Sequence, residues 1–385
     1  MSDAAVLIGQ AEAALARRDF SAASELLDRA EAHGGSTPRS RMARAAILRA
    51  SGDLSGALNA LDDVLAAEPY HFMALLSRAT VLDAAGQGVA ALETYRNVIR
   101  IAPPVDRLPP SAAAQVSKAR DRIAEADTAL RDHLAGSVAG LRSEFAGADL
   151  ARFDEALDIF AGVKKAYVHE PLFLNYPKLP ALTFHDRRHF PWLEELEAET
   201  EAIAAEMTMA LGAANDAELA PYIQYPRGAP VNQWGELNHS RRWSSYFLWK
   251  DGQRQDAACL RCPQTAALLE RLPVCHQPGF APTAMFSALE ARTHIPPHTG
   301  STNVRLLCHL PLLLPGPARF RVGNDVREWK MGQAWVFDDT IEHEAWNDAD
   351  SLRVILIFDV WNPLLSEAER ALINAMLAAK QGFEC

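Results

Sequence analysis

Two histidines and an arginine carry the first chemical signal in this chain. His298 stands in THIPPHTGSTNVR and His343, 45 residues later, in DDTIEHEAW. Arg353 follows and opens the run Val354 to Phe358, which has no polar side chain to offer solvent. Two imidazoles brought to one mouth of a β-barrel would make a metal site. Non-heme iron(II) oxygenases hold their metal on one face with two histidines and a carboxylate, and leave the other face open. The arginine answers a second need. Its strand is apolar on both sides, with Leu352, Val354, Leu356 and Phe358 on one and Ile355 and Ile357 on the other. An unpaired guanidinium buried there is costly, and a ligand carboxylate gripped by two parallel hydrogen bonds offsets the cost. A five-carbon keto-diacid that chelates the metal at one end and reaches Arg353 at the other fits both observations. The ordinary alternatives are a polar turn residue at His343, and an arginine that snorkels or pairs with Asp359.

The elements that must position these residues are short strands. Ala291 to Trp361 reads as strands at 304–312, 318–322, 333–337 and 352–360, with turns at Pro315-Gly316, Gly323-Asn324-Asp325 and Asn347-Asp348. Short strands at regular spacing predict a sandwich or barrel. In a jelly roll, positions near the second and seventh strands meet at one mouth. Helical stretches at 193–212 and 365–380 are expected to flank it. All 8 tryptophans lie after residue 190, so the character of the chain changes near Tyr167.

Ahead of this lies a repeat. Gly52 and Gly86, Ala23, Ala57 and Ala91, Leu58 and Leu92, Val64 and Val98, and Pro69 and Pro103 recur at 34 residues, the tetratricopeptide period. Small alanines let paired helices approach, glycines permit the turn between them, and prolines end each second helix. The first repeat is degenerate, with Gly34-Gly35 where proline is expected. Such arrays bind a partner on their concave face, the alternative being a stabilising cap. From Ala112 to about Ala161 the pattern is helical again. The expected architecture is multidomain α + β: a tetratricopeptide-like helical solenoid over 1–103, a helical connector over 104–165, and a double-stranded β-helix (jelly roll) with flanking helices over 166–385.

Composition narrows the function. A net charge of −11 argues against broad nucleic-acid or anionic-membrane binding. The longest apolar run, Leu306 to Leu314, carries His309 and Pro311 and is too short to span a membrane. The N-terminus reads as an amphipathic helix rather than a signal peptide, so the cytoplasm is the expected location. Five cysteines, at 259, 262, 275, 308 and 385, read as free thiols. Zinc at Cys259, Cys262, Cys275 and His276 is the alternative, without the usual second ligand pair.

The stretches PHTGSTNVRLLCHLPL and WKMGQAWVFDDTIEHEAWNDADSLRVILIFDVWNP, with NYPKLPALTFHDRRHFPWLEELE and WSSYFLWKDG upstream, resemble the aspartyl/asparaginyl β-hydroxylase family over about Tyr167 to Pro363. The resemblance implies an oxygenase that needs Fe(II), 2-oxoglutarate and O2, with tetratricopeptide repeats ahead of the catalytic domain in some members. It implies His298 and His343 as iron ligands, Arg353 and Ser287 on the distal carboxylate of 2-oxoglutarate, and His309 on its other carboxylate. Read alone, Ser287 is a strand serine and His309 a core histidine.

A facial triad would place Asp or Glu at position 300. The chain has Gly300, and the resembled family likewise manages with two histidines. Water is expected in that place, a halide being the minor alternative. Asp338 and Asp339 are candidates to hold a metal-bound water, at least one of them being a solvated turn residue, and His294 reads as structural. Peptide-hydroxylating members carry an arginine two residues before the histidine matched by His309. Here that residue is Leu307, with Arg305, Arg241 and Arg242 as candidates to compensate. Cys259 also lacks the partner cysteine of some members, since position 266 is alanine.

The expected reaction is hydroxylation of an unactivated C–H bond, at the β-carbon of an Asp/Asn-type residue or a related substrate, with the helical repeats recruiting a protein or peptide. The alternatives are a lipid chain or small molecule as substrate, a repeat scaffold fused to an inactive barrel, and a cupin-like metal isomerase or dioxygenase with no need of Arg353.

Overall fold

The structure, a computed structural model, describes residues 3–383, so Cys385 lies outside the described residues. The chain divides into two compact units at Lys165/Ala166. In the first, six helices pair in sequence order: α1 (Asp3–Ala16) with α2 (Phe20–Ala32), α3 (Pro38–Ala50) with α4 (Leu54–Ala67), and α5 (Phe72–Ala84) with α6 (Gly88–Ile101). Ala23, Ala57 and Ala91 are buried at the helix contacts. Gly52 and Gly86 take φ of +84° and +73°, a region that L-residues with a Cβ avoid. Asp19 and Asp53 cap α2 and α4 by accepting hydrogen bonds from the Ala22 and Gly56 amides.

The helical pattern expected as one stretch to Ala161 is interrupted. α7 (Pro110–Ser137) is followed by α8 (Ala139–Glu144) and, after a gap, α9 (Ala151–Ala161). Gly136, Gly140 and Gly147 weaken the helix through this region.

The second unit is a double-stranded β-helix. Its strands are β1 (Leu219–Pro221), β2 (Trp243–Lys250), β3 (Gln253–Arg254), β4 (Ala284–Leu289), β5 (Thr293–His298), β6 (Arg305–Leu313), β7 (Ala318–Val322), β8 (Asp325–Glu328), β9 (Trp335–Phe337), β10 (His343–Asn347) and β11 (Arg353–Trp361). A larger sheet runs β1-β2-β4-β11-β6-β9 with β3 on β2, and a smaller one runs β5-β10-β7-β8. Their pairings are antiparallel. Side chains alternate across each strand. On β11, Val354, Leu356, Phe358 and Val360 enter a core shared with α10 (Leu193–Ala198), α11 (Thr200–Ala213), α12 (Asp256–Arg261) and α13 (Pro263–Arg271). Ile355 and Ile357 face the interior between the sheets instead. α14 (Glu367–Gln381) packs Ile373 and Leu377 on Leu365 and Val304.

Among the described residues, seven strands, β1, β2, β3, β4, β5, β8 and β10, lie outside the four read from the sequence. β2 and β4 are buried along nearly their whole length, so they show no alternation. β5 contains Pro296-Pro297, which its place at the sheet edge tolerates. β10 reads as an acidic turn, yet it is paired on both sides, by β5 and β7.

Candidate active site

His298 ends β5 and His343 begins β10, and the two are direct cross-strand partners. Their ring centres lie 4.1 Å apart. Each ring is fixed by its own chain: Nδ1 of His298 donates to the Pro296 carbonyl at 2.8 Å, and Nδ1 of His343 to the Ile341 carbonyl at 3.0 Å. With the proton on Nδ1, each Nε2 keeps a lone pair. A backbone carbonyl that fixes the tautomer in this way is the usual support of a metal-binding histidine. Burial pushes the His298 pKa down to about 4 and holds His343 well below the usual range, where the neighbouring His298 adds to the effect. His298 leaves part of its ring open to a cavity, whereas His343 is 5% exposed between Phe320 and Phe337. Both rings are therefore neutral at physiological pH.

The acidic residues around His343 do not face its ring. Glu342 and Glu344 pair with Arg321, and Glu344 also accepts from His294, whose ring stacks on Trp346. Asp338 is fully buried rather than solvated: it accepts from the amide and hydroxyl of Thr340 and lies 3.2 Å from His169 Nδ1. Asp339 does face the cavity. A Cβ placed on Gly300 would overlap the Asp339 carboxyl, so the glycine makes room for that group. A carboxylate side chain at position 300 would have to displace that group, and a halide there would meet a carboxyl. Burial, with Asp338 nearby, pushes the Asp339 pKa up to about 8.

Arg353 begins β11 and is 1% exposed. Among the described residues its Nε and Nη1 have no hydrogen-bond partner, and burial pushes its pKa down to about 9. The guanidinium carbon lies 4.5 Å from the centre of the Trp329 ring. His309, on β6, is stacked with Trp329 at 6.1 Å, and among the described residues its Nδ1 also lacks a partner. Burial and the charge of Arg353 hold its pKa well below the usual range. Ser287, on β4, accepts a hydrogen bond from Trp243 Nε1 at 3.1 Å, which leaves its own hydroxyl proton to donate. Asp359 is engaged elsewhere, accepting from the Thr283 amide at 2.6 Å with Arg305 at 3.5 Å.

His298, His343, Arg353, Ser287 and His309 thus line one cavity of about 460 Å3, a size suited to a small organic ligand. A strap ahead of α10 ties its rim together. The Glu170 amide donates to the Thr340 carbonyl, Leu172 to Gly300, and His185 to Val336. Of the three arginines considered beside Leu307, Arg305 reaches the cavity. Arg241 bonds Asp216 and the Leu219 carbonyl, while Arg242 bonds Glu236 and the Arg292 carbonyl. Trp329, Trp234 and Trp243 also line the cavity. Their composition alone does not distinguish them from core residues, which is why sequence reasoning passes over them. Cys259, Cys262, Cys275 and Cys308 are buried free thiols. Among the described residues no group of three or more His, Cys, Asp or Glu side chains is placed to hold a metal, and the His298–His343 pair falls below that count.

Comparison with known proteins adds four findings. The family model described as aspartyl/asparaginyl beta-hydroxylase matches residues 197–363. An ornithine lipid ester-linked acyl 2-hydroxylase of Rhizobium tropici is 36% identical over 202 residues, 52% of this chain and 67% of that one. The human aspartyl/asparaginyl beta-hydroxylase is 38% identical over 144 residues, 36% of this chain but 18% of its own length. Human aspartate beta-hydroxylase domain-containing protein 2 is 29% identical over 217 residues, with 55% of each chain covered.

Proposed function

The chain belongs to the aspartyl/asparaginyl β-hydroxylase family, and from that premise we propose that its β-helix unit is an Fe(II)- and 2-oxoglutarate-dependent dioxygenase that hydroxylates an unactivated C–H bond. One observation carries the reading. A pair of neutral imidazoles with free Nε2 lone pairs shares a cavity with a buried guanidinium that has two unpartnered donors. The imidazoles suit a divalent metal, and the guanidinium suits a carboxylate. A cupin-like enzyme without a diacid cosubstrate has no use for the second group, and a scaffold protein has no use for either.

His298 and His343 would hold the iron through Nε2. Arg353 would grip the distal carboxylate of 2-oxoglutarate, with the Ser287 hydroxyl beside it. His309 would donate to the same ligand through Nδ1–H, nearer the metal. Asp339, beside Gly300, would orient a water there through its carboxyl oxygen. When bound, iron and 2-oxoglutarate supply the activation of O2, with succinate and CO2 as by-products, which no protein side chain can do. The chain contributes position, charge and dryness: Phe320, Phe337 and Trp329 wall the deep end against water.

For the substrate, the apolar lining decides between readings. Phe247, Met285, Leu307 and Ile357 face the cavity. The β-carbon of an Asp/Asn-type residue would bring a peptide's amides and a polar side chain against this band, where unpaired polar groups are costly. An aliphatic or acyl chain meets no such cost, and the name of the Rhizobium relative agrees with that choice. The test is 2-oxoglutarate turnover with Fe(II) against acyl-chain and Asp/Asn-peptide panels, with the product read by mass spectrometry for one added oxygen. A folded sample that forms no succinate and binds no iron would return the protein to the scaffold reading. Oxygen gained on a peptide and on no acyl chain would reverse the substrate choice.

A further inference from the structure

The cavity has a second polar end, which the cosubstrate would not reach. Three rows of side chains can be followed across the inner face of the larger sheet. Ser287 and Ile355 are partners in the deep row, near Arg353. Phe247, Met285, Ile357 and His309 are successive cross-strand partners in the next. Leu307 and Asp359 are partners in the third. Arg305 stands two residues beyond Leu307 on β6, facing the same way. Arginine therefore closes both ends of the cavity, with an apolar band between.

Arg305 differs from Arg353 in how it is held. Its side chain is 16% exposed. Nη1 donates to the Phe280 carbonyl at 2.8 Å and lies 3.5 Å from the Asp359 carboxylate. Among the described residues Nε and Nη2 have no hydrogen-bond partner, so one edge of the fork is open. Burial opposes its charge, but Asp359 and Asp339 outweigh burial and keep its pKa raised. Lys250 adds a second cation at the mouth, with Nζ 5.2 Å from the Phe247 ring centre. Among the carboxylates there, Asp359 is already taken by the Thr283 amide and Arg305, and Asp251 is exposed. Leu172, Ile223 and Tyr222 continue the apolar surface outward, and Leu172 is 77% exposed.

We propose that this outer compartment binds an aliphatic chain carrying an anionic group, a carboxylate or a phosphate, with the open edge of Arg305 gripping the anion and Phe247, Met285, Leu307 and Ile357 packing the chain. This rests on the reading of the His298–His343 pair as the reacting centre. The fork of an arginine matches both anions in geometry, and the apolar band sets the spacing between the anion and the carbon presented to the histidines. Arg305 is then the specificity-determining residue, and it acts on the substrate rather than on the cosubstrate.

The test uses the full chain, Fe(II) and 2-oxoglutarate with three probes: N-dodecanoylglycine, dodecyl phosphate, and the neutral methyl ester of N-dodecanoylglycine. Succinate formation gives KM and kcat, and tryptophan fluorescence gives binding. The wild type is expected to take one or both anionic probes with a KM about tenfold or more below that of the ester. Arg305→Gln should raise the KM for the anionic probe about 30-fold and move that for the ester by about twofold or less. Arg305→Lys, which keeps the charge beside Asp359, should restore part of the preference. If Arg305→Gln does not fold, the wild-type preference and the Lys variant still decide. Equal binding of acid and ester, equal loss for both in the variants, or binding of none of the probes would overturn the proposal. Equilibrium dialysis of 2-oxoglutarate with Mn(II) separates the two readings. If the wild type binds no 2-oxoglutarate, the parent reading fails. If it binds 2-oxoglutarate but shows no charge preference among the probes, this proposal alone fails.

Discussion

The helical unit and the β-helix unit treat polar groups in opposite ways. In the first, Arg44 meets Asp28 and Glu31, Arg78 meets Asp62 and the Thr94 hydroxyl, and Arg96 meets Asp127, which is 7% exposed. Among the described residues, the buried side-chain polar atoms without a hydrogen-bond partner all belong to the second unit. Those of Arg353, His309 and Trp329 line one cavity. Others, in Gln277, Arg370 and Asn374, lie outside it and attach to no ligand reading. The lesson is that this chain can satisfy buried charge where charge serves only the fold. Where it leaves a cation that lines a cavity with two unpartnered donors, as at Arg353, the missing partner is expected from outside.

The largest test of that contrast removes the metal ligands. His298→Ala or His343→Ala should abolish Fe(II) binding, measured by anaerobic titration, and bring succinate formation below detection. Persistent iron binding in either variant would place the metal elsewhere. Next comes Arg353→Ala, which should raise the KM for 2-oxoglutarate about 30-fold or more, the loss typical of one partner in a buried charge pair, with iron binding nearly intact. An unchanged 2-oxoglutarate dependence would remove the reason for leaving the guanidinium unpaired.

A third test uses acid. Folded His298 titrates at about 4, and His343 and His309 are held lower than ordinary histidine, whereas an unfolded histidine titrates near about 6.5. The unfolded chain therefore binds protons that the native chain refuses. The histidine contribution to stability is fullest above about pH 6.5 and is lost as pH drops toward about 4, with His298 alone worth about 3 kcal/mol over that window, while Asp339, raised to about 8, and Asp359, also raised, contribute with the opposite sign. The helical unit has no buried histidine among its described residues. All 8 tryptophans belong to the other unit, so their fluorescence reports the β-helix alone while far-ultraviolet dichroism reports both. Between about pH 7 and about pH 5 the tryptophan transition should shift down in temperature more in the wild type than in His298→Asn, which lacks the titrating ring. Equal shifts would mean the imidazoles are not shielded from water.

Much of this site is legible in the sequence. The 34-residue spacing, the turn glycines and the packed alanines fixed the helical pairs, because a repeat writes the same steric requirement several times. The histidine pair and Arg353 stood out because their types contradict their surroundings. What stayed hidden depends on contacts across the sheets. β2 and β4 carry no alternation because both faces are buried. The role of Gly300 as room for Asp339 needs two loops seen together. The separation of Arg305 from Arg241 and Arg242 rests on where each lies: Arg305 is on β6 and faces the cavity, whereas Arg241 and Arg242 precede β2 and have no strand register to read. Of Asp338 and Asp339, at least one is expected in solvent; Asp338 is buried, with Thr340 bonding one carboxylate oxygen and His169 3.2 Å from the other.

The smallest predicted effect is the most direct trial of the comparison between the units, because it asks for opposite signs from one substitution. Arg96→Met in the helical unit would leave Asp127 buried beside an alkyl chain, and should lower stability by about 1–3 kcal/mol. Arg353→Met in the β-helix unit removes a buried cation that has no partner, and lets a flexible thioether pack on Trp329. Metal-free and without 2-oxoglutarate, that variant should be as stable as the wild type or more so, by about 1–3 kcal/mol, less whatever the cation–π contact contributes. Adding Mn(II) and 2-oxoglutarate should reverse the order, since a ligand that binds only the folded form stabilises the chain that holds it more tightly. Denaturant unfolding followed by tryptophan fluorescence, with and without both ligands, reads the β-helix pair directly, and dichroism reads the helical one. If Arg353→Met destabilises the ligand-free unit, the guanidinium is serving the fold, and the argument from its missing partner no longer points to a ligand.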